Sequence, residues 1–159
     1  MRFVNDGFEQ FAAAFVGEPH LDEEIAHPEN LSRNALDFSL ESLKHVDAYL
    51  SVLHERRPQR MGRDWVNTIL WGGAYVGELI RRNAPRQYDW VDFDDWIREY
   101  PEQVQLLGTQ KALEVCAFLT PGNGAFTLPL NKVFKFIANG PEDSVRFYVA
   151  CEIREEQRS

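Results

Sequence analysis

The sequence predicts a single α+β domain in which a helical hairpin packs on a small antiparallel sheet and further helices follow at the C-terminus. Two observations support this class. Apolar residues recur at steps of three and four through residues 5–83, which is typical of amphipathic helices, and after Pro85 short apolar runs alternate with turn-forming residues. The 159 residues suit one ordinary domain, divided into an N-terminal helix and connection (1–33) and a main body (34–154).

The first predicted helix covers residues 5–16. Asn5 or Asp6 can cap its N-terminus, and Gly17 ends it. Its apolar stripe consists of Phe8, Phe11 and Phe15. The segment Glu18–Asn30, which contains two prolines and five acidic residues, predicts an exposed connection.

Two longer helices are predicted to form the hairpin. The second helix runs from Ser32 to Arg57 and ends before Pro58, and the third runs from Arg63 to Asn83. The second helix carries one apolar stripe formed by Leu36, Leu40, Leu43, Val46, Leu50 and Leu53. Because only a short loop separates them, we expect the two helices to run antiparallel.

The second half of the chain predicts the sheet. Residues 87–93, QYDWVDF, alternate aromatic and polar side chains and suit a strand, whereas residues 94–108 suit a short strand or an irregular loop. The apolar runs 112–119 and 124–130 flank the turn-forming sequence TPGNG and therefore predict a β-hairpin.

Two elements are predicted after the hairpin. A helix begins at Pro129 and ends at Asn139, where Gly140 provides a good C-terminal cap. In the last segment, residues 142–153, acidic residues directly after Pro141 favour a helix, although the alternation of apolar residues also fits a strand.

Composition excludes several classes of protein. An apolar fraction of 44% is too high for a disordered chain, and a formal net charge of −8 disfavours nucleic-acid binding as the main activity. The N-terminus lacks the apolar core of a signal peptide, and no apolar stretch is long enough to span a membrane. Cys116 and Cys151 have no CxxC spacing and suit buried thiols in a reducing compartment, so we expect a cytoplasmic protein. An acidic surface also suits a basic protein partner.

The third helix contains an unusual run, WGGAYVGELIRRN (71–83), with three glycines. Glycine inside a helix costs about 0.5–1 kcal/mol relative to alanine, so the run indicates a compensating use. Gly73 and Gly77 lie one turn apart on the same face, and Gly72 widens the resulting notch. We expect a neighbouring backbone or side chain to pack closely there.

Glu78 follows this notch, on the neighbouring face beside Trp71, Tyr75 and Arg82. The favoured interpretation is a salt bridge with Arg82, four residues later, with Arg81 also within reach. A buried carboxylate that serves as a general base or an anchoring acceptor is a second interpretation. A polar contact that orders the fold is the third.

Four aspartates lie in the seven consecutive residues 89–95, in and directly after the predicted strand. They are Asp89, Asp92, Asp94 and Asp95. On a strand, Asp92 and Asp94 share a face and Asp95 points away. A solvated acidic edge that deters strand pairing is the simplest interpretation. The same edge is the best candidate docking patch for a basic partner.

No motif indicates a metal or cofactor site. The histidines, which are His20, His27, His45 and His54, have no zinc-ligand spacing, and the aspartates lack the glycine and distal glutamate of a calcium loop. The glycines of TPGNGAF are not followed by the lysine of a phosphate-binding loop, and no nucleophile elbow is present. We therefore expect neither a metal nor a cofactor.

Three features together resemble a family of small uncharacterised bacterial α+β proteins. They are the run GAYVGELIRRN, the downstream Trp90, and the segment LPLNKVFKFIANGPEDSVRFY. The resemblance covers roughly residues 34–150 and implies a fold without an established activity. Some small acidic bacterial proteins of this type are immunity or accessory proteins beside toxins, an analogy of type and not of site.

These observations favour a non-enzymatic protein-interaction domain, of which immunity-type binding of a basic partner is one form. Its expected contact residues are the four aspartates together with Trp71 and Tyr75. The alternative is a small hydrolase or ligand-binding domain that uses Glu78 in a pocket with Tyr75 and Trp71. The sequence does not indicate an oligomeric state.

Overall fold

Seven α-helices and a three-stranded antiparallel sheet make up the described part of the chain, which in this computed structural model comprises residues 1–108 and 111–158. The helices are α1 (Asn5–Phe15), α2 (Leu43–Arg56), α3 (Arg63–Asn83), α4 (Phe93–Glu99), α5 (Val104–Leu107), α6 (Pro129–Asn139) and α7 (Val145–Arg158). The strands are β1 (Asp89–Asp92), β2 (Ala117–Gly122) and β3 (Ala125–Thr127). The predicted α+β class, with helices at the C-terminus, is confirmed.

Helix α3 is the central element of the fold. It has the predicted bounds, and every residue from 71 to 80 is buried. A helix that is buried on all sides needs partners on all sides. Helix α1 packs along one side of α3 and α6 along another.

The glycines of α3 make this close packing possible. A Cβ atom on Gly73 would lie 2.8 Å from the Cα atom of Leu130, at the beginning of α6. A Cβ atom on Gly77 would lie 2.2 Å from Cζ2 of Trp90, on β1. Both distances are far shorter than a carbon–carbon contact allows, so the predicted packing notch is confirmed.

Helix α2 begins at Leu43 and not at Ser32, so the predicted start is wrong. The intervening residues form two short 3-10 turns, and Phe38 adopts a left-handed φ of +62°, which no helix tolerates. Beyond it, the Ser39 hydroxyl accepts the N–H of Ser42 at 3.2 Å and caps the 3-10 turn that leads into α2. Local side-chain hydrogen bonds therefore interrupt the apolar periodicity.

Helices α2 and α3 run antiparallel, as predicted. At one end, the hydroxyls of Ser42 and Tyr75 share a hydrogen bond of 2.6 Å. At the other end, Tyr49 donates to the carbonyl of Ala26, whose N–H donates to Thr68 at 2.9 Å. The connection Glu18–Asn30 is therefore exposed only in part, because Ala26 is buried between the two helices.

The three strands pair in the order β1-β2-β3, and both sheet predictions are confirmed. The β2–β3 turn is formed by Asn123 and Gly124, both with positive φ, which suits the twist of a tight hairpin. The N-terminal segment covers the other edge of β1, where Phe3 forms an isolated bridge with Val91.

Residues 94–108 form helices, so the prediction of a short strand or loop is wrong there. The carboxylate of Asp92 accepts the backbone N–H of Asp95 at 2.8 Å and caps α4. Phe93 and Trp96, three residues apart, are buried on its inner face. An aspartate followed by acidic first-turn residues is a helix start signal that the sequence analysis missed.

The last segment is a helix and not a strand. It begins at Val145, after a 3-10 turn over residues 141–143, because two caps fix its start. The Ser144 hydroxyl accepts the N–H of Phe147 at 3.2 Å, and the Asp47 carboxylate of α2 accepts the N–H of Val145 at 2.8 Å. Asp47 thus ties the N-terminus of α7 to α2.

The sheet separates two apolar clusters. Alternate residues of β1 point to opposite faces, so Trp90 enters the main cluster with α1 and α3, whereas Val91 enters a smaller one. The smaller cluster comprises Val91, Phe93, Trp96, Leu107, Val115 and Phe118. Helix α4 therefore covers the face of the sheet that α3 leaves open.

We expect Gly77→Ala to lower the free energy of unfolding by about 1–3 kcal/mol or more, because Trp90 has to move away from α3. Gly72→Ala is the matched control, since its Cβ would lie 3.4 Å from Cε1 of Phe15, an ordinary contact. Alanine there should be neutral or raise stability by up to about 1 kcal/mol. Urea unfolding measures both, and equal effects would contradict the packing account.

We expect Asp47→Ala to lower the free energy of unfolding by about 1–2 kcal/mol, because the first N–H groups of α7 lose their acceptor. Glu55→Ala, at an exposed position of the same helix, is the control and should change it by less than about 0.5 kcal/mol. Thermal unfolding followed by circular dichroism makes the comparison. A loss at position 55 as large as that at position 47 would argue against the cap.

Candidate functional site

Glu78 is a buried carboxylate, only 4% exposed. It accepts Nη1–H hydrogen bonds from Arg81 at 2.9 and 3.2 Å and the indole N–H of Trp90 at 2.9 Å. The predicted salt bridge between Glu78 and Arg82 is wrong, because the guanidinium of Arg82 lies 3.5 Å from the centroid of the Phe38 ring. Position 81 faces β1 and position 82 faces the segment before α2, which decides the pairing.

Arg81 connects three elements of the fold. Its Nε donates to the carbonyl of Tyr88 at 2.9 Å, and its Nη1 also donates to Glu9 on α1 at 3.1 Å. Burial alone would lower the pKa of Arg81, but hydrogen bonds and charges from Glu78 and Glu9 outweigh burial and raise it. The Glu78 carboxylate therefore faces a permanent cation and acts as an anchoring acceptor.

The structure does not bring Glu78, Tyr75 and Trp71 into one pocket. The Tyr75 hydroxyl accepts the N–H of Phe38 at 3.0 Å and is directed toward α2, whereas Glu78 is directed toward β1. Glu78 instead lines a shallow depression of about 380 Å³ with Glu9, Arg81, Arg82, Gln87 and Tyr88. The alternative of a small hydrolase or ligand-binding domain that uses Glu78 stays a prediction.

The four aspartates near β1 are each held by a partner within the protein. Asp89 accepts from the Asn5 side chain at 3.0 Å, and Asp92 caps α4. Asp94 pairs with Lys111, and Asp95 pairs with Arg98, both at 2.9 Å. The expected shared strand face of Asp92 and Asp94 is wrong, because Asp94 and Asp95 lie in the first turn of α4.

A depression with a volume of about 530 Å³ lies beside these aspartates. Its charged lining residues are Asp92, Asp95, Glu99, Arg2 and Arg98. Positive side chains thus balance most of the negative charge. The docking role predicted for these four aspartates stays a prediction.

A second acidic region lies where the chain leaves α1, and we call it the acidic depression. Its volume is about 270 Å³. It is lined by Ala14, Gly17, Glu18, Pro19, His20, Leu21, Asp22, Glu23, Glu24, Arg33 and Trp71. Four carboxylates therefore face one guanidinium in the lining.

Two of these carboxylates are neutralised. Glu24 pairs with Arg33 at 2.6 Å, and this hydrogen bond lowers the pKa of Glu24. Glu23 pairs with Arg63 at 2.5 Å. Glu18 and Asp22 are exposed and form no ion pair within the described ranges, so the acidic depression carries two uncompensated negative charges.

Aromatic and apolar side chains complete the acidic depression. Trp71, a predicted contact residue, is 2% exposed, and the His20 ring packs edge-on against it at 5.6 Å between centroids. Leu21 is 80% exposed and has a left-handed φ of +55°, unusual for a leucine. A large apolar side chain thus stands at the rim.

The described residues contain no group of three or more histidine, cysteine, aspartate or glutamate side chains placed to hold a metal ion. Cys116 and Cys151 are half-buried thiols, and burial raises the pKa of Cys116. Within the same ranges, no helix has both the length and the apolar character needed to cross a bilayer.

A scan against protein-family models finds no match, and searches of curated proteins and of solved structures find none either. The resemblance to a family of small bacterial proteins therefore stays a prediction. Any function has to be argued from the geometry of the chain itself.

The acidic depression is formed largely by the segment that the sequence predicted only as an exposed connection. The sequence signal is the presence of five acidic residues from Glu18 to Asn30 without a lysine or an arginine. Its proximity to Trp71 could not be predicted, because it depends on how the connection crosses α3.

We expect Glu78→Gln to lower the free energy of unfolding by about 3 kcal/mol, because it leaves Arg81 without its buried counter-charge. Glu9→Gln is the matched control: it removes the exposed carboxylate from the same guanidinium and should cost less than about 1 kcal/mol. Chemical unfolding of both variants measures the difference. Equal losses of unfolding free energy in the two variants would show that the burial of Glu78 does not strengthen its ion pair with Arg81.

Proposed function

We propose that this chain is a non-enzymatic protein-interaction domain that binds a basic protein partner at the acidic depression. The observation that carries the proposal is the pair of uncompensated carboxylates, Glu18 and Asp22, beside the buried aromatic Trp71. Immunity-type binding of a basic toxin would be one form of this interaction.

Charge supports a basic partner. The chain carries a formal net charge of −8, which accelerates association with a positively charged protein at low ionic strength. Unlike Asp94 and Asp95, Glu18 and Asp22 do not have to break an ion pair with a described residue before they contact a partner. Their desolvation can therefore be compensated by the partner alone.

The exposed side chain of Leu21 supports a protein as the partner. Energetically dominant contacts at protein interfaces combine a buried apolar anchor with surrounding polar groups. Leu21 projects from the rim of the acidic depression between His20 and Asp22. It can insert into an apolar site on a partner whose basic residues contact the carboxylates.

Affinity capture from the source cell tests this function when wild type and variants are compared by quantitative mass spectrometry. Wild type should enrich one or more basic proteins, and Glu18→Gln/Asp22→Asn should lose them by about tenfold or more. Leu21→Gly should lose them as well, because glycine keeps the left-handed backbone and removes only the side chain.

The matched control is Asp94→Asn/Asp95→Asn, which removes the same formal charge from carboxylates that already have partners. This variant should retain the captured proteins at the wild-type level. If no protein distinguishes wild type from Glu18→Gln/Asp22→Asn, the proposed function is wrong. If the control loses the partner equally, overall charge and not the acidic depression determines binding.

A further inference from the structure

Trp71 has an indole N–H that lacks an acceptor in the part of the chain that the structure describes. The residue is 2% exposed. The indoles of Trp90 and Trp96, by contrast, donate to Glu78 at 2.9 Å and to Gln103 at 2.7 Å. Buried donors in native proteins normally have an acceptor, and because Trp71 lines the acidic depression, a bound ligand can supply one there.

We infer that the acidic depression binds an extended peptide segment of the partner, with an arginine side chain held by Glu18 and Asp22 and a backbone carbonyl that accepts the N–H of Trp71. The inference rests on the proposed function and specifies the chemistry that the site recognises. A guanidinium has five donors in a planar fork, which lets one side chain contact two carboxylates.

The size of the acidic depression fits one side chain and a short piece of backbone. Its volume of about 270 Å³ is below the range of roughly 300–1,000 Å³ typical of sites for whole small molecules. Its polar groups also differ in kind: Glu18 and Asp22 take a cation, whereas the indole of Trp71 donates only. A cation alone cannot accept that N–H. An arginine residue within a peptide supplies both a cation for the carboxylates and a backbone carbonyl for the indole N–H.

The test uses the peptide N-acetyl-Gly-Arg-Gly-amide and nitrogen-15-labelled protein. The chain has 4 tryptophans, and therefore four indole N–H signals. Trp71→Phe removes and assigns one of them, or a carbon-13-labelled sample assigns it if that variant does not fold. Titration to millimolar concentrations should shift the Trp71 indole signal saturably, because single short segments bind with a Kd on the order of 1 mM.

Three controls separate recognition from non-specific binding. The citrulline peptide, neutral but equal in shape, should shift the signal at least tenfold more weakly. Methylguanidinium, a cation without a carbonyl, should perturb residues around Glu18 and Asp22 but not the Trp71 indole. Trp65, whose indole N–H also lacks an acceptor in the described chain but does not line the acidic depression, should stay unchanged.

The variants complete the test. Glu18→Gln/Asp22→Asn should weaken the apparent affinity for the arginine peptide by about tenfold, and Asp94→Asn/Asp95→Asn should leave it unchanged. An unmoved Trp71 signal, or equal shifts with the arginine and citrulline peptides, would overturn the inference. Because partner capture is measured separately, a captured partner with an unmoved signal would refute the peptide mode and leave the proposed function standing.

Discussion

The close approach of Trp90 to the backbone of α3 is the constraint on which the rest of the structure depends. Gly77 admits the indole, since a single Cβ there would lie 2.2 Å from it. Once seated, the indole stacks on Phe8 of α1 with 4.2 Å between ring centroids and donates its N–H to Glu78. One side chain therefore joins the sheet to both helices, and the conformational cost of glycine in α3 is offset by dense packing on three elements.

The same contact explains the charge of Glu78. The indole N–H of Trp90 needs an acceptor in the core, and the carboxylate of Glu78 needs a counter-charge, which Arg81 supplies. Removing one of these three side chains would therefore leave a buried polar group without its partner, at a cost in stability. Asn5 extends this arrangement to the N-terminus, because its side chain accepts the backbone N–H of Trp90 at 2.7 Å and donates to Asp89. In the fold, the Glu78 carboxylate is the polar part of the packing contact that Trp90 makes with α3.

Features that depend on local sequence were predictable, and features that depend on a distant partner were not. The bounds of α3 follow from its own local sequence. Its glycines predicted a close approach of another element but did not identify Trp90 as the contact. The start of α7 could not be placed, because Asp47, far away in the chain, supplies one of its caps. Likewise, spacing alone favoured Arg82 as the partner of Glu78, whereas the carbonyl of Tyr88 on the next segment holds Arg81 in place.

The charge distribution also depends on contacts that the local sequence does not show, and it bears on function. Aspartates that crowd one stretch of sequence suggest an attractive surface, but folding places Lys111 and Arg98 beside two of them. The acidic residues of the connection Glu18–Asn30 did not indicate a binding surface in the sequence. Folding nevertheless places that connection over Trp71 and leaves Glu18 and Asp22 without cations in the described chain. A partner responds to charge that remains after internal pairing, since paired groups have already lost much of their attraction and resist separation. Binding is therefore expected where the fold leaves charge uncompensated and not where the sequence concentrates it.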